Sequence, residues 1–157
     1  MTEEDGKSAE PFILFELGNT SYGVHSRSVQ QLEMIEEITP VPNAPDFVEG
    51  LVLSRGQVIP AINMRIRFGF EKTKHDSRTR LLVISSDERT VGFVVDTARE
   101  FVSIPSDKIQ PPPESIVGLS GKYLTGIAML DGRQVLILDV KEVLKLSKDS
   151  LPVPENN

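Results

Sequence analysis

The sequence contains no cysteine and no tryptophan, and only two histidines, His25 and His75, among its 157 residues. Without cysteine the chain forms no disulfide bond, no thiolate nucleophile and no cysteine-ligated metal site. A serine–histidine–acid triad or a multi-histidine metal site would have to use one of these two histidines. The composition therefore gives little support to catalysis, and we expect neither a cofactor nor a metal.

Long apolar runs are also missing, since no stretch reaches the roughly 18 residues that cross a bilayer. The first residues are acidic and contain no apolar core, unlike a secretory signal. The formal net charge of −6 is a poor basis for binding nucleic acid or anionic lipid. We therefore expect a soluble cytoplasmic protein that neither binds nucleic acid nor inserts directly into a membrane.

The acidic charge is concentrated near the two ends of the chain. Residues 1–11 contain four acidic side chains and one lysine, and residues 147–157 contain two acidic side chains and one lysine. Polar, charged ends of this kind cannot bury enough apolar surface to fold. We therefore predict disordered tails at 1–11 and 147–157, on either side of one folded body at 12–146.

The folded body is a series of short apolar segments with turns every 8–12 residues, which is typical of small β-barrels or sandwiches. Residues 12–17 and 22–24 predict a first hairpin, and residues 51–53 and 58–62 predict a second. The pair Asp131–Gly132 between two apolar runs predicts a last hairpin. The fold class predicted from these patterns is mainly β.

Three local patterns predict helical structure. Ser26 is a suitable cap for a short helix that includes Val29. Residues 46–50 fit a single helical turn closed by glycine. Asp139 and Glu142 form a capping-box pattern, which predicts a short amphipathic helix near the C-terminus.

Several charged segments suggest binding, and each also has an ordinary explanation. Arg55 at the second hairpin tip is suited to a partner carboxylate or carbonyl, although a solvated turn arginine is the commoner case. Residues 28–54 contain five acidic side chains and no basic one, so they could face a basic partner or serve solubility. The basic segment 65–80 lacks a phosphate-binding glycine loop, which favours a solvated loop. Asp96 is explained by turn formation.

A binding module is favoured over an enzyme, and the order of the segments resembles the CheW family of chemotaxis adaptors. The resemblance runs from about Phe12 to Leu146. The segments that carry it are Tyr22–Val24, Phe47–Gly50, Arg55–Gly56, Val58–Pro60, Arg65–Gly69, Val91–Asp96, Ile109 with the prolines after it, Tyr123–Gly126 and Val135–Asp139. Each segment is a weak signal alone, but their shared order and spacing are specific.

The resemblance implies a fold of two SH3-like five-stranded β-barrel subdomains packed side by side, with short helices and a C-terminal helix. We expect the two subdomains to correspond to the strand-rich halves on either side of the polar loop at 71–79.

The resemblance also implies a non-catalytic role in membrane-associated receptor arrays. Proteins of this family couple chemoreceptors to a CheA-type histidine kinase, by binding the cytoplasmic tip of a methyl-accepting receptor and the kinase's regulatory domain. The first barrel meets the kinase, and the groove between the barrels receives the receptor. The candidate interface positions that this implies are Val29, Gln31, Gly50, Arg55, Gly56, Gly92 and Phe101. For Val29 and the glycines, core packing and tight turns remain equal alternatives.

Two departures from the family pattern lie close to Arg55. Leu53 and Ser54 stand where the family usually has asparagine and leucine. Gln31 stands where a glutamate usually pairs with the arginine, and a neutral amide removes the charge-assisted part of that bond. Arg55 therefore either finds Glu33 or another carboxylate, or is freer for a partner. The alternative function is a divergent paralogue in a non-flagellar pathway (gliding, pilus or developmental control), or one that binds the kinase only.

Overall fold

The computed structural model describes residues 8–87, 89–113 and 123–148. Strands dominate these ranges, with two short α-helices and two 3₁₀ turns. In chain order the elements are β1 Ala9–Leu17, β2 Thr20–His25, β3 Val29–Met34, β4 Val48–Ser54, β5 Gln57–Asn63, α1 Met64–Arg67, β6 Arg80–Ser86, β7 Arg89–Val95, β8 Thr97–Pro105, β9 Ile109–Gln110, β10 Leu124–Leu130, β11 Arg133–Leu138 and α2 Val140–Lys148.

The strands form two sheets, which confirms the prediction of a mainly β fold with two subdomains. Sheet A has the strand order β3-β6-β7-β5-β4, and sheet B has the order β8-β1-β2-β11-β10-β9. Sheet B has six strands in the described part of the chain rather than the five predicted. The additional strand is the two-residue β9, which pairs with β10.

The two sheets do not correspond to the two halves of the sequence, so that expectation is wrong. The chain begins in sheet B with β1 and β2, builds all of sheet A, and then returns to sheet B. The loop at 71–79 lies within the sheet A segment, between α1 and β6. The cause is the parallel pairing of β11 with β2, which joins Leu136 to Tyr22.

All three predicted hairpins are confirmed, as the antiparallel pairs β1–β2, β4–β5 and β10–β11. The strands β10 and β11 meet at Asp131 and Gly132, which have φ of 51° and 82°. Positive φ at both central residues gives a turn whose twist matches the two strands. The cap of α2 is also as predicted, since the Glu142 backbone N–H donates to Asp139 Oδ1 at 3.2 Å.

Two of the predicted helical segments are wrong. Only the 3₁₀ turn Ser26–Ser28 forms where a helix was expected, and Val29–Met34 is a strand paired with β6. Residues 46–50 do not form a helical turn, because the strand Val48–Ser54 begins within them. In both places, pairing with a distant strand overrides a local pattern that also fits a helix.

The folded body extends beyond both predicted boundaries. Ala9 pairs with Pro105 and Glu10 with Ile104, so strand pairing continues outward past the apolar run that suggested a start at residue 12. At the other end, α2 continues to Lys148 rather than ending at 146. The remainder of the two predicted tails, residues 1–7 and 149–157, lies outside the described residues.

The apolar core is divided into three clusters, because side chains alternate between the two faces of each strand. In β1, Phe12 and Leu14 enter the interior of sheet B, whereas Phe15 and Leu17 enter a cluster to which both sheets contribute, here called the shared core. Sheet A has its own interior cluster, formed by Val52, Ile59, Ala61, Leu81, Val83 and Val94. The two subdomains are therefore joined through an extensive apolar contact.

Candidate binding surfaces

The β4–β5 hairpin ends in an exposed tip that combines a cation with apolar side chains. Arg55 and Gly56 have φ of 52° and 77°, as a two-residue turn between twisted strands requires. Leu53 and Val58 face each other across the hairpin and are 70% and 51% exposed. Leu53, Arg55, Gly56 and Val58 are here called the hairpin-tip surface. Leu53 and Val58 form a small exposed apolar pair. Arginine beside such a pair is a candidate contact residue, because arginine is enriched among residues that dominate binding energy.

A groove of about 510 Å³ runs beside this tip, between β3 and β4, the outer strands of sheet A. Three glutamates line it, Glu33, Glu36 and Glu37, and Arg55 is the one basic residue in its described lining. In the described part of the chain, no hydrogen bond or ion pair engages the Arg55 guanidinium. This groove is here called the seam groove, and its carboxylates are not neutralised by the arginine at its rim.

A buried serine connects the two outer strands of sheet A. Ser54, which is 6% exposed, accepts a hydrogen bond from Gln31 Nε2 at 2.9 Å and donates one to Glu33 Oε2 at 2.7 Å. Of the two outcomes expected for Arg55, the structure therefore shows the one in which the arginine is freer. Glu33 is held by Ser54 instead of pairing with Arg55.

Gly50 and Gly92, two of the predicted interface positions, are buried. A Cβ on Gly50 would lie 2.1 Å from the Thr39 carbonyl oxygen, which approaches closely because Thr39 and Leu51 exchange two backbone hydrogen bonds. A Cβ on Gly92 would lie 2.6 Å from Leu81 Cδ1. Both glycines are therefore required by packing, which is the alternative left open above.

Phe101 and Val29 lie beside the shared core. Phe101 is 66% exposed on β8 and pairs with Ile13, whose side chain packs against the shared core. Val29 is half-buried and packs against the same cluster. Of the seven predicted positions, three are thus near the hairpin tip, two adjoin the shared core and two are buried. The contacts of the described residues do not bring these seven positions together into one site.

An ion pair that was not predicted links the two sheets. Arg65 in α1 donates from Nε and Nη2 to the two carboxylate oxygens of Asp96, at 2.8 and 2.7 Å. The backbone N–H of Gly18, in the β1–β2 turn, donates to Asp96 Oδ2 at 2.8 Å. Burial raises the pKa of Asp96, but the bonds from Arg65 and Gly18 outweigh it and hold the pKa below its ordinary value. Asp96, placed between β7 and β8, thus fastens sheet A to sheet B.

We expect Asp96→Asn to lower the free energy of unfolding by about 1–2 kcal/mol near pH 7, because an amide cannot replace the charge-assisted bonds. Since the folded-state pKa lies below 3.8, the carboxylate stabilises the fold fully above that value and loses its effect as the pH falls through the lowered pKa. The two proteins should therefore become similar in stability in acid. Urea unfolding at pH 7 and at a series of pH values below 3.8 measures this, and a pH-independent difference would contradict it.

The basic segment 65–80 is not one free cationic patch. Arg65 is paired with Asp96, and the Arg67 guanidinium lies 4.8 Å from the ring centre of Phe47 and 5.2 Å from that of Tyr123. Stacking of this kind is a structural use of arginine. Arg80 Nη1 also donates to the backbone oxygens of Ser77 and Thr79, so three of the segment's arginines make internal contacts.

Metal-binding clusters and membrane-spanning helices are both absent from the described ranges. No three histidine, aspartate or glutamate side chains there are placed to hold a metal ion together. No helix in residues 8–87, 89–113 and 123–148 is long and apolar enough to cross a membrane.

Comparison with known proteins gives consistent matches along the folded body. The family model for the CheW-like domain matches residues 11–148. Chemotaxis protein CheW of Klebsiella aerogenes is 32% identical over 142 residues, covering 90% of this chain and 86% of the relative. Protein FrzA of Myxococcus xanthus is 27% identical over 141 residues, covering 88% of each chain.

The fold is also similar to a solved structure. The crystal structure of the scaffolding protein TtCheW from Thermoanaerobacter tengcongensis superimposes with a TM-score of 0.78 at 27% identity, covering 83% of this chain and 89% of that chain. The resemblance inferred from ordered motifs is thereby confirmed. Because the family model spans nearly all of the two-sheet body, the chain belongs to the family of CheW-like domains.

Proposed function

We propose that the chain is a non-catalytic chemotaxis adaptor that couples chemoreceptors to a CheA-type histidine kinase in receptor arrays at the membrane. The observation that carries this proposal is the match of residues 11–148 to the CheW-like domain. Relatives named chemotaxis protein CheW and scaffolding protein support it. An adaptor needs surfaces rather than a catalytic centre, which agrees with the exposed apolar side chains on both sheets.

The hairpin-tip surface is the proposed contact for the regulatory domain of the kinase. Leu53 and Val58 are exposed although neither stabilises the core, and burial of each by a partner contributes roughly 1–2 kcal/mol. Arg55 lies between them, and arginine is over-represented among residues that dominate binding energy. The tip therefore offers a small apolar contact with one directional polar group.

The surface around Phe101 is the proposed contact for the receptor's cytoplasmic tip. This ring is 66% exposed next to the shared core, where the two sheets meet. A helical hairpin of the receptor suits this position, because the apolar face of a helix can cover an exposed aromatic ring. Since the two surfaces are on one rigid body, binding the receptor raises the effective concentration of the kinase beside it.

A second candidate is a divergent family member that serves a non-flagellar pathway or binds the kinase only. The observation that favours it is the replacement of the usual residues by Gln31 and Ser54, which are hydrogen-bonded to each other. Similarity to a family member with a different name, Protein FrzA, also favours it. In both versions of this candidate the hairpin tip still contacts the kinase. The receptor is a different one in the first version and is not bound in the second.

The proposal is tested by titrating the full chain with a CheA-type regulatory domain and with a soluble receptor-tip fragment, separately and together. We expect both to bind, and a three-component complex to form. Binding of the kinase domain alone selects the second candidate. Failure to bind either partner, with circular dichroism showing a folded chain, overturns both.

Matched variants assign the two surfaces. Leu53→Ser is expected to weaken kinase binding about tenfold and to leave receptor binding unchanged, and Phe101→Ser is expected to do the reverse. Both side chains are largely exposed, so neither change should lower the thermal midpoint noticeably. Loss of both activities in either variant would contradict the assignment of separate surfaces.

A further inference from the structure

A carboxylate and an arginine line one groove of sheet A, and the carboxylate is hydrogen-bonded to a serine instead of to the arginine. Ser54 directly precedes Arg55, and its hydroxyl holds Glu33 Oε2 at 2.7 Å. Glu33 and Arg55 both line the seam groove. A hydroxyl donating to a carboxylate makes a strong, directional bond, so the position of Glu33 is set by Ser54.

Removal of the Ser54 hydroxyl would change the partner of Glu33. The carboxylate would lose its hydroxyl donor, and the one basic residue in the described lining of the groove is Arg55. A guanidinium matches a carboxylate with two parallel hydrogen bonds, so an internal ion pair would form. Glu36 and Glu37 line the same groove, and their repulsion of Glu33 favours that pairing further.

We propose that Ser54 is a positioning residue that holds Glu33 and so leaves the Arg55 guanidinium available to a carboxylate of the partner. The identity of that partner, the kinase regulatory domain, rests on the proposed function. Glu36 and Glu37 repel a second carboxylate on the groove side. Val58 lies outside the described lining of the groove, so the partner's carboxylate approaches from the side of Val58. Apolar side chains of the partner next to that carboxylate cover Leu53 and Val58.

Four proteins test the proposal in binding: the unsubstituted chain, Ser54→Ala, Glu33→Gln and the double variant. Ser54→Ala is expected to weaken binding of the regulatory domain about fivefold to tenfold, since an internal ion pair must first be broken. Glu33→Gln should bind within about twofold of the unsubstituted chain. The double variant should recover the affinity of Glu33→Gln, because no carboxylate remains to compete.

The rescue separates positioning from simple damage to the fold. If Ser54 acts only by holding β3 and β4 together, removal of the Glu33 charge cannot restore binding. Unchanged affinity in Ser54→Ala, or a loss that persists in the double variant, overturns the proposal. Failure of the unsubstituted chain to bind counts against the proposed function instead.

A measurement without the partner tests whether Ser54 keeps Glu33 from pairing with Arg55 in the free chain. The Arg55 Nε–Hε signal in a ¹H–¹⁵N spectrum, assigned by its loss in Arg55→Lys, reports whether the guanidinium is paired. We expect a shift and slower solvent exchange in Ser54→Ala, and the unsubstituted position in the double variant. An Arg55 signal that is the same in all of these proteins overturns the proposal even if binding changes.

Discussion

Arg55→Asp is expected to weaken binding of the CheA-type regulatory domain about a hundredfold while changing the free energy of unfolding by less than about 0.5 kcal/mol. The substitution reverses the charge at the proposed contact, so it removes the attraction for the partner's carboxylate and introduces repulsion. The fold should tolerate it, because the guanidinium has no hydrogen bond or ion pair within the described ranges. The φ of 52° is also better suited to aspartate than to arginine.

Lys74→Asp provides the matched control for this experiment. It makes the same change in net charge on the exposed loop between α1 and β6, away from the hairpin tip. Isothermal titration with the regulatory domain and urea unfolding should be carried out on both variants. Equal weakening by the two substitutions would indicate general electrostatics, and unfolding of Arg55→Asp would indicate a structural arginine.

Gly50→Ala is expected to reduce the free energy of unfolding by about 3 kcal/mol or more, the largest effect expected from alanine at any of the described glycines. The new Cβ would lie 2.1 Å from the Thr39 carbonyl oxygen, and φ of 152° is strained for any residue with a side chain. The obstruction is backbone, so no rotamer change can relieve it. The two hydrogen bonds between Thr39 and Leu51 should be lost as the strands separate.

Gly56→Ala gives the comparison that isolates the steric contribution. A Cβ there would meet nothing within 4 Å, and only the φ of 77° disfavours alanine, so the cost should be about 1 kcal/mol. Urea unfolding of the two variants measures the difference. An equal loss of unfolding free energy in the two variants would show that Thr39 moves away from the new methyl group at no cost.

Local turn chemistry explains why the sequence predicts the hairpins correctly. Asp131 and Gly132 adopt positive φ readily, as a two-residue turn between two apolar runs requires. The same holds for the start of α2, where Asp139 caps the first turn within three residues. Such elements depend on residues that are close in the sequence, so residue type and spacing are enough to predict them.

The failures occur where a distant strand decides the structure. Val29–Met34 carries a pattern that fits a helix, but β6 pairs with it as a strand. The glycine that suggested a helix end at residue 50 instead makes room for Thr39. The bond between Arg65 and Asp96 crosses from one sheet to the other, and no local spacing indicates such a pair.

The candidate surfaces were predictable only in part. The family resemblance drew attention to Gln31 and Arg55, because the family usually has a glutamate at position 31 that pairs with the arginine. In the structure Gln31 is in β3 and Arg55 follows β4. It did not indicate that Ser54 would donate a hydrogen bond to Glu33, because that bond requires β3 and β4 to lie close together on either side of the seam groove. Burial of Gly50 and Gly92 also depends on packing that a motif does not reveal.

The return of the chain to sheet B has a consequence for the order in which the protein is made. Sheet A is one continuous stretch, complete once residue 95 has left the ribosome, whereas β2 must wait for β11, more than 100 residues further along. Pairings between distant segments form late and slowly. A nascent chain therefore carries the hairpin tip well before β11 is present to pair with β2. The proposed contact for the kinase would form earlier than the completed sheet that carries Phe101, the residue of the proposed receptor contact.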